Sequence, residues 1–146
     1  MYQQNDNSIW AKLKKVKYAC SDVCDLTANT SQAFHGTVQV DVDDDAINFS
    51  EVYLSSANSN SQNSLKWEKK DGCLVLSHTR QQKPETIAVF VYDENDESGE
   101  FKSHPYYCNK DAYHSNLSIS EDQINLSWTI NGPEKHLTIS TRYSFG

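Results

Sequence analysis

Apolar and polar residues alternate along most of this chain, and this period of two limits the available folds more than any other feature. In residues 34–42, "FHGTVQVDV", the side chains of Phe34, Val38 and Val40 share one face, whereas Thr37 and Gln39 share the other. Residues 46–54, "AINFSEVYL", alternate in the same way. Successive side chains of a β-strand point to opposite faces, so the pattern predicts strands with one buried face.

Short polar turns separate these runs and predict hairpins. The acidic residues 43–45 join the first two runs, and Asp71-Gly72 joins "LKWEKK" to "CLVLSH". Asp-Gly favours the two-residue turns of antiparallel hairpins. Further alternating runs follow in the second half of the chain, at residues 86–93, 115–130 and 136–145. The Ser/Asn-rich residues 55–64 contain no core-forming residue and predict a mobile loop.

One segment near the N-terminus predicts a helix. Ile9, Leu13 and Val16 are spaced i, i+4 and i+7, and the serine before Ile9 is a suitable cap. A competing strand pattern, Val16, Tyr18 and Cys20, begins where that helix would end. We therefore expect a short helix that leads into the first strand.

Strand number and spacing predict an all-β fold. About eight to ten short strands in one chain are typical of a sandwich or a barrel. Sequential hairpins favour a meander, and closure into a barrel removes exposed strand edges. We expect one domain, residues 1–146, that forms a single up-and-down antiparallel β-barrel.

Charge and hydropathy exclude several classes of function. The net charge is −7, with acidic runs at residues 41–45 and 93–100 and no basic stripe, which argues against a nucleic-acid partner. The longest apolar run, residues 87–92, is far shorter than the ~20 residues of a membrane-spanning helix. The N-terminal residues lack a basic region followed by an apolar stretch. We therefore expect a cytoplasmic protein with reduced cysteines.

The cysteine spacing predicts no metal site. Among the four cysteines only Cys20 and Cys24 are close in sequence. A zinc site needs close pairs of ligands at both ends of its motif.

Residues 103–115, "SHPYYCNKDAYHS", concentrate side chains that carry chemistry. One interpretation is a nucleophile pair in which His104 activates Cys108. The other is a turn shaped by Pro105, Asn109 and Asp111. The spacing favours the turn and predicts no catalytic residue with a defined role.

Two polar residues fall on otherwise apolar strand faces. Glu51 is in phase with Ile47 and Phe49, and His78 is in phase with Leu76. A carboxylate inside a core is costly unless it is paired or solvated. Glu51 therefore either belongs to a polar group in a ligand cavity or lies at a strand end facing solvent, and the pattern leaves both open. Its candidate partners are Arg80, Arg142 and His78.

Aromatic residues give a second indication of a pocket. They recur in the alternating runs, at Trp67, Phe90, Tyr92, Trp128 and Tyr143. Such residues usually form core, but a barrel of about eight strands can also hold one small ligand.

The second half of the chain resembles the family known as DUF6314, a lipocalin-like (calycin) group. The resemblance rests on the patterns H…C..D.Y, W.I.GP.K and T.Y, which are here His104, Cys108, Asp111 and Tyr113, then Trp128, Ile130, Gly132, Pro133 and Lys135, then Thr141 and Tyr143. In the first half, "FHGT" and "INFSE" resemble two further family elements, and the second places Glu51 at the family's carboxylate position. The resemblance implies a calycin-type barrel with a ligand cavity. It implies no activity.

We expect a non-enzymatic protein that binds a small, largely apolar molecule inside the barrel, with no identified cofactor. The expected ligand-binding residues are Glu51, Trp67, His78, Arg80, His104, Tyr113, Trp128 and Tyr143. A first alternative is a protein-interaction or effector module that uses its surface. Its candidate surfaces are the patch Lys12, Lys14, Lys15 and Lys17 and the loop 55–64. A second alternative is a haem-binding protein or a hydrolytic or isomerising enzyme built around His104, Cys108 and Asp111.

Overall fold

The structure, a computed structural model, describes residues 8–55, 60–80, 83–91, 99–108 and 110–146, without the side chains of Ser55, Arg80 and Cys108. Within these segments lie one helix and a set of antiparallel strands. They are α1 (Ile9–Leu13), β1 (Val16–Asp25), β2 (Thr30–Asp43), β3 (Ala46–Ser55), β4 (Asn60–Lys70), β5 (Cys73–Arg80), β6 (Lys83–Val91), β7 (Glu100–Lys102), β8 (Tyr106–Cys108), β9 (Asp111–Ile119), β10 (Gln123–Asn131) and β11 (His136–Phe145).

The strands form a meander that curls into a nearly closed barrel. Their order is β6-β5-β4-β3-β2-β1-β11-β10-β9-β7, and β8 also pairs with β9. Because β1 pairs with β11, the first and last strands of the chain meet. The ten strands along this path and the short helix confirm the predicted all-β, up-and-down antiparallel barrel.

The barrel closes between β6 and the β7–β9 edge, and this seam is made differently from the other strand junctions. An isolated bridge joins Phe90 to Ser103. The N–H of Val89 donates a 2.9 Å hydrogen bond to Ser103 Oγ. Tyr106 Oη donates a 2.8 Å hydrogen bond to Glu85 Oε1. In the described part of this seam, one backbone bridge and these side-chain hydrogen bonds take the place of the ladders that join the other strands.

Helix α1 covers one end of the barrel, as the apolar spacing predicted. Ser8 Oγ accepts a 3.2 Å hydrogen bond from the N–H of Ala11, which satisfies a free donor of the first turn. Ile9 and Leu13 are fully buried. Lys12 Nζ donates a 2.7 Å hydrogen bond to the carbonyl oxygen of Ser120 in the β9–β10 turn. The core beneath the helix includes Val16, Phe49, Trp67, Leu74, Phe90 and Ile124.

Two hairpin turns confirm the sequence prediction. Asp44, in the turn between β2 and β3, has a φ of 43°. Asp71 and Gly72, between β4 and β5, have φ angles of 44° and 78°. In the Asp71-Gly72 turn, positive φ at both central residues is the type I′ geometry that matches the twist of an antiparallel pair.

The predicted inward-facing row of β1, Val16, Tyr18 and Cys20, is wrong after Val16. The pairing of β1 with β11 shifts register between Val16 and Tyr18. Such an irregularity moves the following side chains to the opposite face. Ala19 and Ser21 are therefore buried, whereas Tyr18 is half exposed.

The predicted loop at residues 55–64 is wrong over its second half. Strand β4 begins at Asn60, which pairs with Leu54 of β3. Strand β6 likewise begins at Lys83, three residues before the alternating run 86–93 that the sequence predicted. Residues 56–59, in the middle of the predicted loop, lie outside the described residues. In both places polar residues form the first part of a strand whose apolar residues follow.

The candidate lysine patch is smaller than the sequence suggested. Lys12 is buried beside α1, whereas Lys14, Lys15 and Lys17 are exposed. Three of the four lysines therefore remain at the surface. Of the described residues, none belongs to a helix of the length and apolarity needed to cross a membrane.

Candidate functional site

A cavity of about 410 Å³ lies inside the barrel, toward the end opposite α1. Nine strands contribute to its wall, β1 to β6 and β9 to β11. Its apolar lining includes Val23, Phe34, Leu65, Leu126, Trp128 and Ile139. The core therefore fills the barrel near α1 and leaves space beyond it.

Glu51 lies where the packed core gives way to the cavity. Phe49, two residues earlier on the same face of β3, is 1% exposed and packs edge to face on Trp67 and Tyr143. Glu51 itself is 2% exposed and lines the cavity, as does Tyr53 two residues later. The period of two thus places a core residue, a carboxylate and a tyrosine in one row.

Three donors from three strands converge on the Glu51 carboxylate. Tyr53 Oη and Asn63 Nδ2 each donate a 3.0 Å hydrogen bond to Oε1. Tyr143 Oη donates a 2.5 Å hydrogen bond to Oε2. The carboxylate is thereby hydrogen-bonded from β3, β4 and β11 on three sides. We call Glu51, Tyr53, Asn63 and Tyr143 the carboxylate cluster.

Burial dominates the ionisation of this cluster. It raises the pKa of Glu51 above its ordinary value, while the hydrogen bonds from Tyr143, Asn63 and Tyr53 oppose that rise. Burial and the nearby Glu51 charge raise the pKa of Tyr53 and of Tyr143, so both remain protonated donors. The cluster holds at most one negative charge, and that charge belongs to Glu51.

Asn63 connects the carboxylate cluster to His78. His78 Nε2 lies 2.6 Å from Asn63 Oδ1, whose amide group donates to Glu51. Because the amide oxygen can only accept, Nε2 carries the proton in this arrangement. Asn63 of β4 thus orients the imidazole, and two hydrogen bonds through its amide group connect His78 to Glu51.

A second polar pair lies in the cavity wall. Ser21 Oγ and Thr141 Oγ1 are 3.0 Å apart across β1 and β11, and both side chains are buried. The two hydroxyls satisfy each other, which lowers the cost of burying them.

The structure brings together five of the eight residues expected to bind a ligand. The cavity is lined by Glu51, His78, Tyr113, Trp128 and Tyr143. Trp67 is fully buried in the core near α1 and lines no part of the cavity. His104 is exposed between β7 and β8. The side chain of Arg80 lies outside the described residues.

The expected partners of Glu51 are largely replaced by others. Arg142 is exposed on the outer face of β11, because it is out of phase with Thr141 and Tyr143. His78 reaches the carboxylate through Asn63. Sequence reasoning missed the roles of Tyr53 and Asn63. Tyr53 carried a signal, since it shares a strand face with Glu51, but Asn63 fell in the segment interpreted as a loop.

The stretch 103–115 is a corner of the barrel edge. Pro105 precedes β8, and Cys108 pairs with Asp111 to form the β8–β9 hairpin. Asp111 makes a 3.7 Å salt bridge with Lys135. Tyr113 reaches the cavity wall and packs edge to face on Tyr106. The Cys108 side chain is outside the described part of the chain, and His104 does not line the cavity.

No group of three or more potential metal ligands occurs among the residues that the structure describes. Cys20 instead lies 3.3 Å from His35 Nδ1 on the outer face of the barrel, and Cys24 is four residues further along β1.

Comparison with protein families gives one match. The family model described as a family of unknown function, DUF6314, matches residues 14–145. The matched range begins just after α1 and contains every strand from β1 to β11. No curated protein matches the chain.

Proposed function

Since this chain belongs to the DUF6314 family, whose function is unknown, we propose a function from its own geometry: it is a non-enzymatic binding protein. In this proposal the barrel is of calycin type and holds a small, largely apolar molecule in its cavity. Its ligand-binding residues are Glu51, His78, Tyr113, Trp128 and Tyr143.

The observation that carries the proposal is the division of the barrel into a packed end and an end with a cavity. The wall of that cavity is mostly apolar, with a few polar groups gathered around Glu51. Small-molecule sites commonly have this composition and volumes of roughly 300–1,000 Å³. The apolar wall supports an apolar body in the ligand, and the carboxylate cluster supports one polar end.

The carboxylate cluster is better suited to binding than to acid–base catalysis. Its two phenols donate to Glu51 and have raised pKa values, so they resist losing a proton. The imidazole of His78 is directed at Asn63. A phenol or an imidazole that is committed as a hydrogen-bond donor does not serve as a general base. These three groups instead hold Glu51 and Asn63 in a fixed arrangement, and the carboxylate is the member of the cluster that remains to accept from a ligand.

A fluorescent reporter tests the proposal. N-phenyl-1-naphthylamine is a small neutral probe whose emission rises in an apolar site, and it is titrated into the purified protein. We expect saturable binding to the wild type. Ile139→Trp, which adds bulk to the cavity wall, should weaken binding about tenfold or more, because overpacking removes the space that the probe needs.

The matched control is Ser140→Trp, one residue along β11 on the exposed face. It adds the same side chain outside the barrel and should bind the probe like the wild type. Equal binding by the two variants, or no saturable binding by the wild type, contradicts the proposal. Native mass spectrometry of the purified protein adds a direct search for a bound compound.

A further inference from the structure

The carboxylate cluster contains a buried acid whose partners are all uncharged. Its three donors are two phenols and one amide. Among the described residues that line the cavity there is no lysine and no arginine. Buried carboxylates in proteins are ordinarily matched by a cation or a metal ion. The side chains that the structure describes here supply hydrogen bonds to Glu51 but no counter-ion at close range.

The hydrogen-bonding capacity of Glu51 is incompletely used. The two oxygens of a carboxylate offer about four acceptor positions. Within the described structure Oε1 receives two donors, Tyr53 and Asn63, and Oε2 receives one, Tyr143. One acceptor position therefore remains on Oε2 of a residue that lines the cavity.

The neighbours of Glu51 also present acceptors rather than donors. Tyr53 and Tyr143 direct their hydroxyl hydrogens to the carboxylate and also lie in hydrogen-bonding contact with each other, so neither hydroxyl hydrogen is left for a ligand. Asn63 uses its amide group on Glu51 and its oxygen on His78. The polar end of the cavity thus favours a positive, hydrogen-bond-donating group and disfavours an anion.

We propose that the ligand of this cavity is a small organic ammonium ion, in which the charged nitrogen donates to Glu51 and an apolar body packs against Trp128 and Leu126. This inference rests on the proposed function, since it names the chemical class of the molecule in the same cavity. The ammonium supplies the counter-ion and the donor for the remaining acceptor position. A carboxylic acid of the same size meets Glu51 with like charge and is excluded.

Ammonium binding is coupled to protonation of the cluster. The groups facing Glu51 are Tyr53 from its own strand, Tyr143 from β11, and Asn63 from β4 with His78 behind it on β5. A bound cation favours the ionised carboxylate, so binding releases a proton where free Glu51 is partly protonated. Affinity for the ammonium should therefore fall as the pH falls through the raised pKa of Glu51.

Three probes that share an indole ring and a side chain of similar length, and differ in charge, distinguish the ligand classes. Tryptamine is a cation, tryptophol is neutral and indole-3-acetate is an anion at neutral pH. Calorimetric titration of the wild type should give tryptamine a Kd about 10- to 100-fold lower than tryptophol, the range expected for a hydrogen bond to a charged group. Indole-3-acetate should bind more weakly than tryptophol.

Glu51→Gln tests whether the carboxylate causes this preference. The substitution keeps the shape of the side chain and removes its charge. It should bring the tryptamine Kd to that of tryptophol while leaving tryptophol binding within about threefold of the wild type. The matched control is Glu121→Gln in the exposed β9–β10 turn, which makes the same change outside the cavity and should retain both the preference and the pH dependence.

Proton release is measured on the wild type, independently of any variant. Titrations with tryptamine in buffers of different ionisation enthalpy should show proton release, and tryptophol should show none. The inference is overturned if tryptophol or indole-3-acetate binds as tightly as tryptamine, if Glu51→Gln keeps the preference, or if tryptamine binds without proton release near the pKa of Glu51. In those cases binding of N-phenyl-1-naphthylamine still decides the proposed function separately.

Discussion

Tyr143 and Glu51 are joined by a hydrogen bond that crosses the inside of the barrel. The two residues lie on β11 and β3, which are separated in the sheet by β1 and β2. Tyr143 Oη donates to Glu51 Oε2 at 2.5 Å, although the residues are 92 positions apart in sequence. This bond joins β11 to β3, two strands that do not pair with each other through the backbone.

Removing that hydroxyl should destabilise the fold. Tyr143→Phe keeps the ring contact with Phe49 but leaves Glu51 Oε2 without its donor. Loss of a hydrogen bond to a buried carboxyl group should lower the free energy of unfolding by about 1–3 kcal/mol, measured by urea denaturation. The control is Tyr18→Phe, at a half-exposed tyrosine, which should change it by less than about 0.5 kcal/mol. An equal decrease in the free energy of unfolding of the two variants would show that the bond between Tyr143 and Glu51 does not stabilise the fold.

The raised pKa of Glu51 predicts how stability depends on pH. Burial favours the protonated form in the folded state, so the folded protein holds a proton that the unfolded chain loses near pH 4.5. As the pH rises from that value through the raised pKa, the contribution of Glu51 to stability is progressively lost. A tenfold difference in proton affinity between the folded and unfolded chains corresponds to about 1.4 kcal/mol.

Comparison with Glu51→Gln isolates this effect, because every other titrating group is common to both proteins. The free energy of unfolding of the wild type should fall relative to the variant as the pH rises from about 4.5 through the raised pKa of Glu51, and the difference should be constant at lower pH. Denaturant unfolding at a series of pH values measures it. Parallel curves across the range would mean that Glu51 has the same pKa in the folded and unfolded chains.

The sequence predicted the barrel because strand faces and hairpin turns are determined by residues that are close together in the chain. Alternation in residues such as Val38, Phe49 and Leu126 assigns each strand a buried face, and Asp71-Gly72 specifies its turn by backbone conformation alone. Hairpins between neighbouring strands then determine most of the strand order. The resemblance to DUF6314 pointed to the same barrel.

The site was predicted only in part, because it depends on contacts between distant strands. The phase of Glu51 on β3 showed that a carboxylate faces the interior, but no local rule identifies Tyr143 as its donor across the barrel. Asn63 was missed because a run of serines and asparagines has no apolar periodicity, even though pairing with β3 makes it a strand. The register shift after Val16 likewise has no recognisable residue pattern in the sequence.

Gly36 should control the position of Tyr53. A Cβ added at Gly36 would lie 2.5 Å from the carbonyl oxygen of Val52 and 2.7 Å from Cδ1 of Tyr53. Gly36→Ala therefore forces the tyrosine ring or strand β3 to move, and should cost about 1–3 kcal/mol of stability. It should also weaken binding of N-phenyl-1-naphthylamine, since Tyr53 lines the cavity. Thr37→Ala, at the next and exposed position, is the control and should preserve binding. Wild-type stability and binding in Gly36→Ala would contradict the steric argument.

The seam between β6 and the β7–β9 edge should be the part of the barrel that opens most readily. Among the described residues β6 forms a ladder only with β5, with a register shift between Leu76 and Ser77, and its other side is held by Ser103 and by the bond from Tyr106 to Glu85. Local opening is favoured where few backbone hydrogen bonds must break. Tyr106→Phe removes the bond to Glu85, so amide hydrogen exchange in residues 83–87 should accelerate about two- to tenfold, with little change in β2.

Tyr107→Phe is the matched control for the seam, because Tyr107 is the adjacent tyrosine of β8 and is 67% exposed. Its exchange pattern, measured by mass spectrometry of peptic fragments, should equal that of the wild type. Ile87 and Tyr113 line the cavity on the two sides of this seam. Faster opening in Tyr106→Phe should therefore also raise the association rate of N-phenyl-1-naphthylamine in stopped-flow experiments. Accelerated exchange with an unchanged association rate would show that the probe enters by another path, through the end of the barrel opposite α1.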